Sequence, residues 1–221
     1  MLFDVKFFLG LFPIVLSALK LTVAISLLSL IFTLILSVLI AVVRYYKIPL
    51  LSQFLNLFIT VFRATPLIVE LFMIYFALPC IFQPLRAMTA FQATVISLTL
   101  NTSAFMAESF RAALESVDRG QLEACYSMGM TRNQAMMRAI LPQAFVVAMP
   151  MIGNHFIGII KGTALGFTVG LADMMGKAKI EAAMSLRFFE AYLCVSIIYL
   201  VIVLALEFGL RKMERNLQQL Y

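Results

Sequence analysis

Few residues in this sequence can do chemistry, and those that can are set in apolar runs. Asn101, Thr102 and Ser103 stand together, with Glu70 upstream and Lys161 and Thr163 downstream. Small hydrogen-bonding side chains in such runs either grip a neighbouring helix or face a cavity and meet a polar solute. Glu70 poses the same choice, because an acid inside a membrane span is costly and faces a pathway or a partner helix. Lys161 either attracts an anionic group of a solute or snorkels outward to water. Glu108 reads as a structural pair, and Glu207 as the partner of Arg211 four residues on. His155 stands alone and reads as a packed or pore-facing histidine, so no metal site is expected. Cys80, Cys125 and Cys194 are far apart without partners at ligand spacing and read as packing residues. This is binding chemistry, with no catalytic residue expected.

The elements that carry these groups belong in a bilayer. Hydrophobic residues make up 63% of the chain and charged ones 13%, with a mean hydropathy of +1.01, which leaves too little polar surface to clothe a soluble domain. The net charge of +6 is spread along the chain rather than gathered into a stripe, which argues against nucleic acid. The opening MLFDVKFFLGLFPIVLSALK lacks a cleavable leader pattern. A span needs about 20 residues, and about five runs approach that length: 18–43, 66–82, 91–113, 141–160 and 188–210. Thr65 and Pro66 suit the opening of the second run, as cap and first-turn residue. The stretch before it, IPLLSQFLNLFITVFR, carries Ser52, Gln53 and Asn56 and is expected to lie along the membrane surface rather than cross.

Arg44, Lys47, Arg63, Arg111, Arg119, Arg132, Arg138, Arg211, Lys212 and Arg215 fall on one side of these spans, and the other seven of the seventeen Lys and Arg on the opposite side. That bias makes the first side cytoplasmic, with the N-terminus outside and the C-terminus inside. The loops 80–90 and 168–186 then face outward. No repeat, low-complexity tract or Pro/Gly/Ser linker divides residues 1–221, so one transmembrane domain is expected.

The longest polar interval, 116–138, falls in a cytoplasmic connection and reads as two short helices. Asp118 with Gln121 caps the first, Gly129 supplies the left-handed residue that ends it, and Thr131 with Gln134 caps the second, which runs on towards Leu141-Pro142. Leu122, Cys125 and Met128 recur every three residues, with Tyr126 and Met130 close by, so an apolar knob is expected to project from this turn and seek a groove.

GQLEACYSMGMTRNQAMMRAILPQA resembles the EAA loop of ABC importer permeases, with Glu123, Ala124, Gly129 and the Ile140-Leu141-Pro142 ending in place. FRATPLIVELFMIYFALP, NTSAFMAESFRAALESVDRGQLEA and IIKGTALGFTVGLADM are similar to runs of the polar amino-acid importer permeases (His, Gln, Arg or cystine type), in the same order and spacing from about residue 16 to 210. The resemblance implies an all-α membrane protein with the type I importer fold in a bacterial inner membrane. Its coupling helix would dock on an ATPase through Arg119, Gly120, Glu123, Ala124, Tyr126, Met128, Gly129 and Met130. Glu123 and Arg119 could instead be ordinary solvated helix charges. An amino-acid substrate would pass Glu70, Asn101, Thr102, Ser103, Lys161 and Thr163, with Arg63, Thr65, Pro66, Glu108 and Pro142 structural. Arg63 is either a lipid-phosphate anchor or one half of an ion pair within the permease. Gly162 stands where the family commonly has an acid, which weakens the case for a strongly cationic substrate unless Glu70 compensates.

The resemblance also implies two ATPases, a second permease chain that is identical or paralogous, and an extracytoplasmic solute-binding protein. No GxxxxGK[ST] occurs, so ATP and Mg would sit on the partner and this chain would hold no cofactor. A secondary transporter or channel acting alone is the competing class. It would show paired discontinuous helices or a repeat, and neither is legible.

Overall fold

The structure, a computed structural model that describes residues 3–218, has no strand among those residues. Its α-helices are α1 (Val5–Ser17), α2 (Leu19–Tyr45), α3 (Leu51–Ala64), α4 (Leu67–Phe72), α5 (Leu78–Ile81), α6 (Ala90–Glu115), α7 (Arg119–Ser127), α8 (Arg132–Ala135), α9 (Leu141–Gly162), α10 (Met174–Ser185) and α11 (Phe188–Gln218). Among the described residues, three helical stretches are long and apolar enough to cross a bilayer alone: Leu19–Tyr45, a continuous Arg132–Val169, and Phe188–Asn216. The pair Leu51–Ala64 and Leu67–Ile81 makes a fourth only when counted as one span, and it is bent by 110°. The expected span over 66–82 is therefore half of an elbow. Thr65 does not cap it, since the N-cap is Pro66 without a side-chain bond.

The expected third span is α6, whose 26 residues would extend about 39 Å at the helical rise. It is long enough to cross, yet too polar to count as an apolar span. Its neighbours explain why. α6 packs against α2, α3, α4 and α9, and so lies inside the bundle rather than against lipid. Thr94, Ser97, Thr99 and Ser103 are buried on it beside Ala93, Ala104 and Ala107. α2 buries Thr22, Ser26, Ser29, Thr33 and Ser37 at helical spacing. Small residues let backbones approach closely where lipid offers no hydrophobic drive. Several hydroxyls are satisfied within their own helices, Ser26 by Thr22 O at 2.8 Å, Thr94 by Ala90 O at 2.7 Å and Ser103 by Leu100 O at 2.9 Å.

Two π turns, Met73–Ala77 and Met136–Ile140, each stand directly before a Leu-Pro pair, Leu78-Pro79 and Leu141-Pro142. Proline cannot donate to the carbonyl four residues back and its ring crowds that carbonyl, so a widened turn ahead of it keeps the helix running. The second of the two short helices, α8, thus continues into α9 without a break.

Residues 168–186, expected as an outer loop, contain α10. Asp173 accepts Gly176 N–H at 2.9 Å to start it and Leu186, at φ +57°, follows its end. Ala178 and Ala182, a turn apart, are fully buried in the same cluster as Leu11, Val15 and Cys194. Cys80, expected to pack, is exposed. At the N-terminus, Arg187 joins Asp4 at 3.4 Å and Glu190 at 3.1 Å, fastening α1 to α11.

Candidate functional site

The segment 116–138, expected to couple to an ATPase, is built by local capping chemistry. The Asp118 carboxylate accepts Gly120 N–H at 2.6 Å, while Gln121 returns no side-chain bond, so only the Asp118 half of the expected cap forms. α7 closes with Gly129 N–H donating to Tyr126 O at 2.9 Å and Met130 N–H to Cys125 O at 3.1 Å, with Gly129 at φ +78°. This double closure is the Schellman pattern, which requires a left-handed residue where Gly129 stands. Two residues on, Thr131 N–H donates to Gln134 Oε1 at 2.9 Å and Gln134 N–H to Thr131 Oγ1 at 3.3 Å, a complete capping box.

The exposed surface of this hinge differs from the expected knob. Met128 is 81% exposed and Tyr126 43%, and Arg119, Gly120, Glu123 and Ala124 are also exposed. Cys125 is buried and Leu122 and Met130 are half-buried. The three-residue repeat thus marks the face α7 turns towards its own protein, where it packs on Met136–Ile140. Met128 alone of that repeat escapes, because it caps the helix.

Ionic contacts brace the base of the hinge. Arg44 at the end of α2 pairs with Glu108 of α6. Arg111 pairs with Glu108 at 2.9 Å and with Glu115 at 2.6 Å. Arg132 of α8 donates to Tyr45 Oη at 3.1 Å and lies 5.0 Å over that ring. The spacing of Glu108, Arg111 and Glu115 makes their pairing legible in sequence. Nothing local points to Arg44 or Tyr45, which reach their partners across 64 and 87 residues.

A second cluster sits at the α3–α4 elbow. Asn101 Nδ2 donates to Glu70 Oε1 at 3.1 Å and to Phe62 O at 3.1 Å, and Thr65 Oγ1 lies 3.2 Å from the same carboxylate oxygen. Glu70 is 7% exposed, and its Oε2 has no partner among the described residues. Of the expected pathway residues, the structure therefore joins Glu70 and Asn101. Ser103 and Thr163 are fully buried, and Thr163 Oγ1 is bonded to Ile160 O at 2.8 Å. Thr102 is half-buried and Lys161 exposed. His155 Nε2 meets Ser109 Oγ at 2.9 Å, linking α9 to α6. Arg63 is exposed and lies 5.6 Å over the Phe105 ring, with no ion pair among the described residues. Pro66 marks the elbow, Pro142 follows the second π turn, and Glu207 pairs with Arg211 at 3.0 Å. No cluster of three metal-ligating side chains occurs among the described residues.

Residues 33–219 match the family described as the binding-protein-dependent transport system inner membrane component. The chain belongs to that family. The permease is 50% identical over 204 residues to the probable amino-acid ABC transporter permease protein PatM of Vibrio harveyi, covering 92% of each chain. It is 43% identical over 218 residues to the probable amino-acid permease protein YxeN of Bacillus subtilis, covering 99% of the permease and 97% of that protein. Its fold superposes with a TM-score of 0.91 and 34% identity on a crystal structure of an amino acid ABC transporter with histidines, covering 98% of the permease and all of that chain. The all-helical importer-permease fold implied by the motifs is the fold observed.

Proposed function

We propose that this permease is the membrane subunit of an ATP-driven importer of polar amino acids, a single transmembrane domain over 1–221 that couples to a separate ATPase through residues 116–138. The observation that carries the reading is the α7 hinge, a short helix that presents Met128, Tyr126 and Glu123 to solvent on a doubly capped support. The substrate class is that printed for its relatives. Two ATPases, carrying ATP and Mg, would close and draw a pair of α7 hinges together, rocking two permease chains, identical or paralogous, between access states. A solute-binding protein would deliver the amino acid from outside. Of the expected pathway residues, Glu70 and Asn101 are the pair to which we assign contact with substrate. Arg119, Gly120, Ala124, Gly129 and Met130 complete the coupling surface. The test is ATP hydrolysis by the reconstituted complex across a panel of L-amino acids including cystine. Stimulation by a subset of polar amino acids is expected, and transport by the permease alone, without ATPase, would overturn the assignment.

Orientation has its own test, for which Cys125 is too buried to report. With Cys125 and Cys194 changed to serine, exposed Cys80 reports the outer side and Met128→Cys the cytoplasmic side. An impermeant thiol reagent is expected to label Cys80 in intact cells and the residue 128 thiol only in inverted vesicles stripped of ATPase. Labelling of position 128 from outside would reverse the topology.

A further inference from the structure

At the hinge, the ends of α2 and α6, the start of α3, α7 and the turn from α8 to Met136–Ile140 line an open-mouthed cavity of about 1080 Å³. That matches the upper end of small-molecule sites. Its lining is strongly cationic: Arg44, Lys47, Arg111, Arg119 and Arg132 against Glu115 and Asp118. The two acids are already engaged, Glu115 by Arg111 and Asp118 by the α7 cap. Among the described residues, Lys47, Arg119 and Arg132 form no ion pair. Ser52 and Asn56 add hydrogen-bonding groups from α3. Exposed apolar residues occupy another face of the same stretch. Leu50 is 79% exposed, Phe54 63% and Leu57 61%, and all three belong to the same stretch of chain as Ser52 and Asn56. Basic pockets beside apolar surface at the cytoplasmic face of a bundle suit anionic headgroups, whose leaflet carries a negative surface potential.

We propose that this cavity is a binding site for an anionic phospholipid, with the phosphate held by Lys47 and Arg132 and the acyl chains lying along the exposed face of α3. The site depends on the proposed orientation only for the leaflet that supplies the lipid. Lipid bound here would touch Leu122 and Tyr126 of α7, and so would tie the hinge to the membrane surface.

Full-length permease, with any chains that purify with it, would be placed in nanodiscs containing spin-labelled phosphatidylglycerol or spin-labelled phosphatidylcholine, and the immobilised fraction read by electron spin resonance. Wild type is expected to immobilise phosphatidylglycerol preferentially. Lys47→Gln should weaken that preference about fivefold, and Lys47→Gln with Arg132→Gln by about fivefold more, on the usual contribution of a single basic residue. Lys47→Arg with Arg132→Lys should restore it. Equal immobilisation of the two lipids by wild type, or an unchanged preference in the Lys47→Gln variant, would overturn the proposal. So would complete displacement by millimolar inorganic phosphate, which would mark a site for a free anion. The measurement reads lipid immobilisation and uses neither ATP hydrolysis nor uptake, so its outcome is separate from that of the coupling reading.

Discussion

Cells carrying Gly129→Val should insert the permease normally and lose ATP-driven uptake, by tenfold or more. A Cβ at Gly129 would meet nothing within 4 Å, so the penalty is conformational rather than steric. At φ +78°, a β-branched residue costs on the order of 1–2 kcal/mol or more. Relieving that strain breaks the bonds from Gly129 N–H and Met130 N–H to the α7 carbonyls. α7 then ends differently and Met128 points elsewhere. Gly129→Asn, which tolerates the left-handed region, should keep most of the uptake. Uptake and co-purification of ATPase from the same membranes give the readout. Normal uptake by the valine variant would remove this hinge from the coupling pathway.

The second large effect is expected at Asn101. Its amide joins α6 to both halves of the elbow, through Phe62 O of α3 and Glu70 of α4. Asn101→Leu keeps the volume and leaves a buried carboxylate held only by Thr65. Leaving a buried polar group unsatisfied costs about 1–3 kcal/mol. If Glu70 and Asn101 meet the substrate, basal ATP hydrolysis and ATPase assembly should persist while stimulation by amino acid falls at least tenfold. Glu70→Gln should give a smaller loss, since it keeps the hydrogen-bonding shape without the charge. Should Asn101→Leu lower the melting temperature with stimulation intact, the pair is a brace and not part of the pathway.

The hinge was legible in sequence because its causes are local: an aspartate cap, a glycine in left-handed conformation and a Thr/Gln box act within a few residues of one another. The class and the importer-permease fold were legible from composition and from motifs in order. What failed depended on neighbours. The spacing of Leu122, Cys125 and Met128 identified an apolar face without saying whether it pointed to a partner or to the Met136–Ile140 turn. α10 was hidden because KAKIEAAMS reads as polar, and only the packing of Ala178 and Ala182 against α1 and α11 explains its burial. The elbow was missed because a run of apolar residues does not record a 110° bend; the reversal is made by the extended backbone at Thr65 and Pro66. Glu70 and Asn101 were both candidates, but their meeting follows from that bend.

The continuous helix from Arg132 to Val169 joins the hinge to the opposite end of the bundle. Its 38 residues span about 57 Å at the helical rise, so each degree of tilt about one end moves the other by about 1 Å. It has the form of a lever arm, interrupted near one end by the π turn Met136–Ile140, within it by Pro150 and at the other end by the tighter turns of Thr163–Val169. A change of one residue in the length of the π turn would rotate the whole outer portion by roughly 100° about its axis, presenting a different face to α6 while leaving the hinge itself intact.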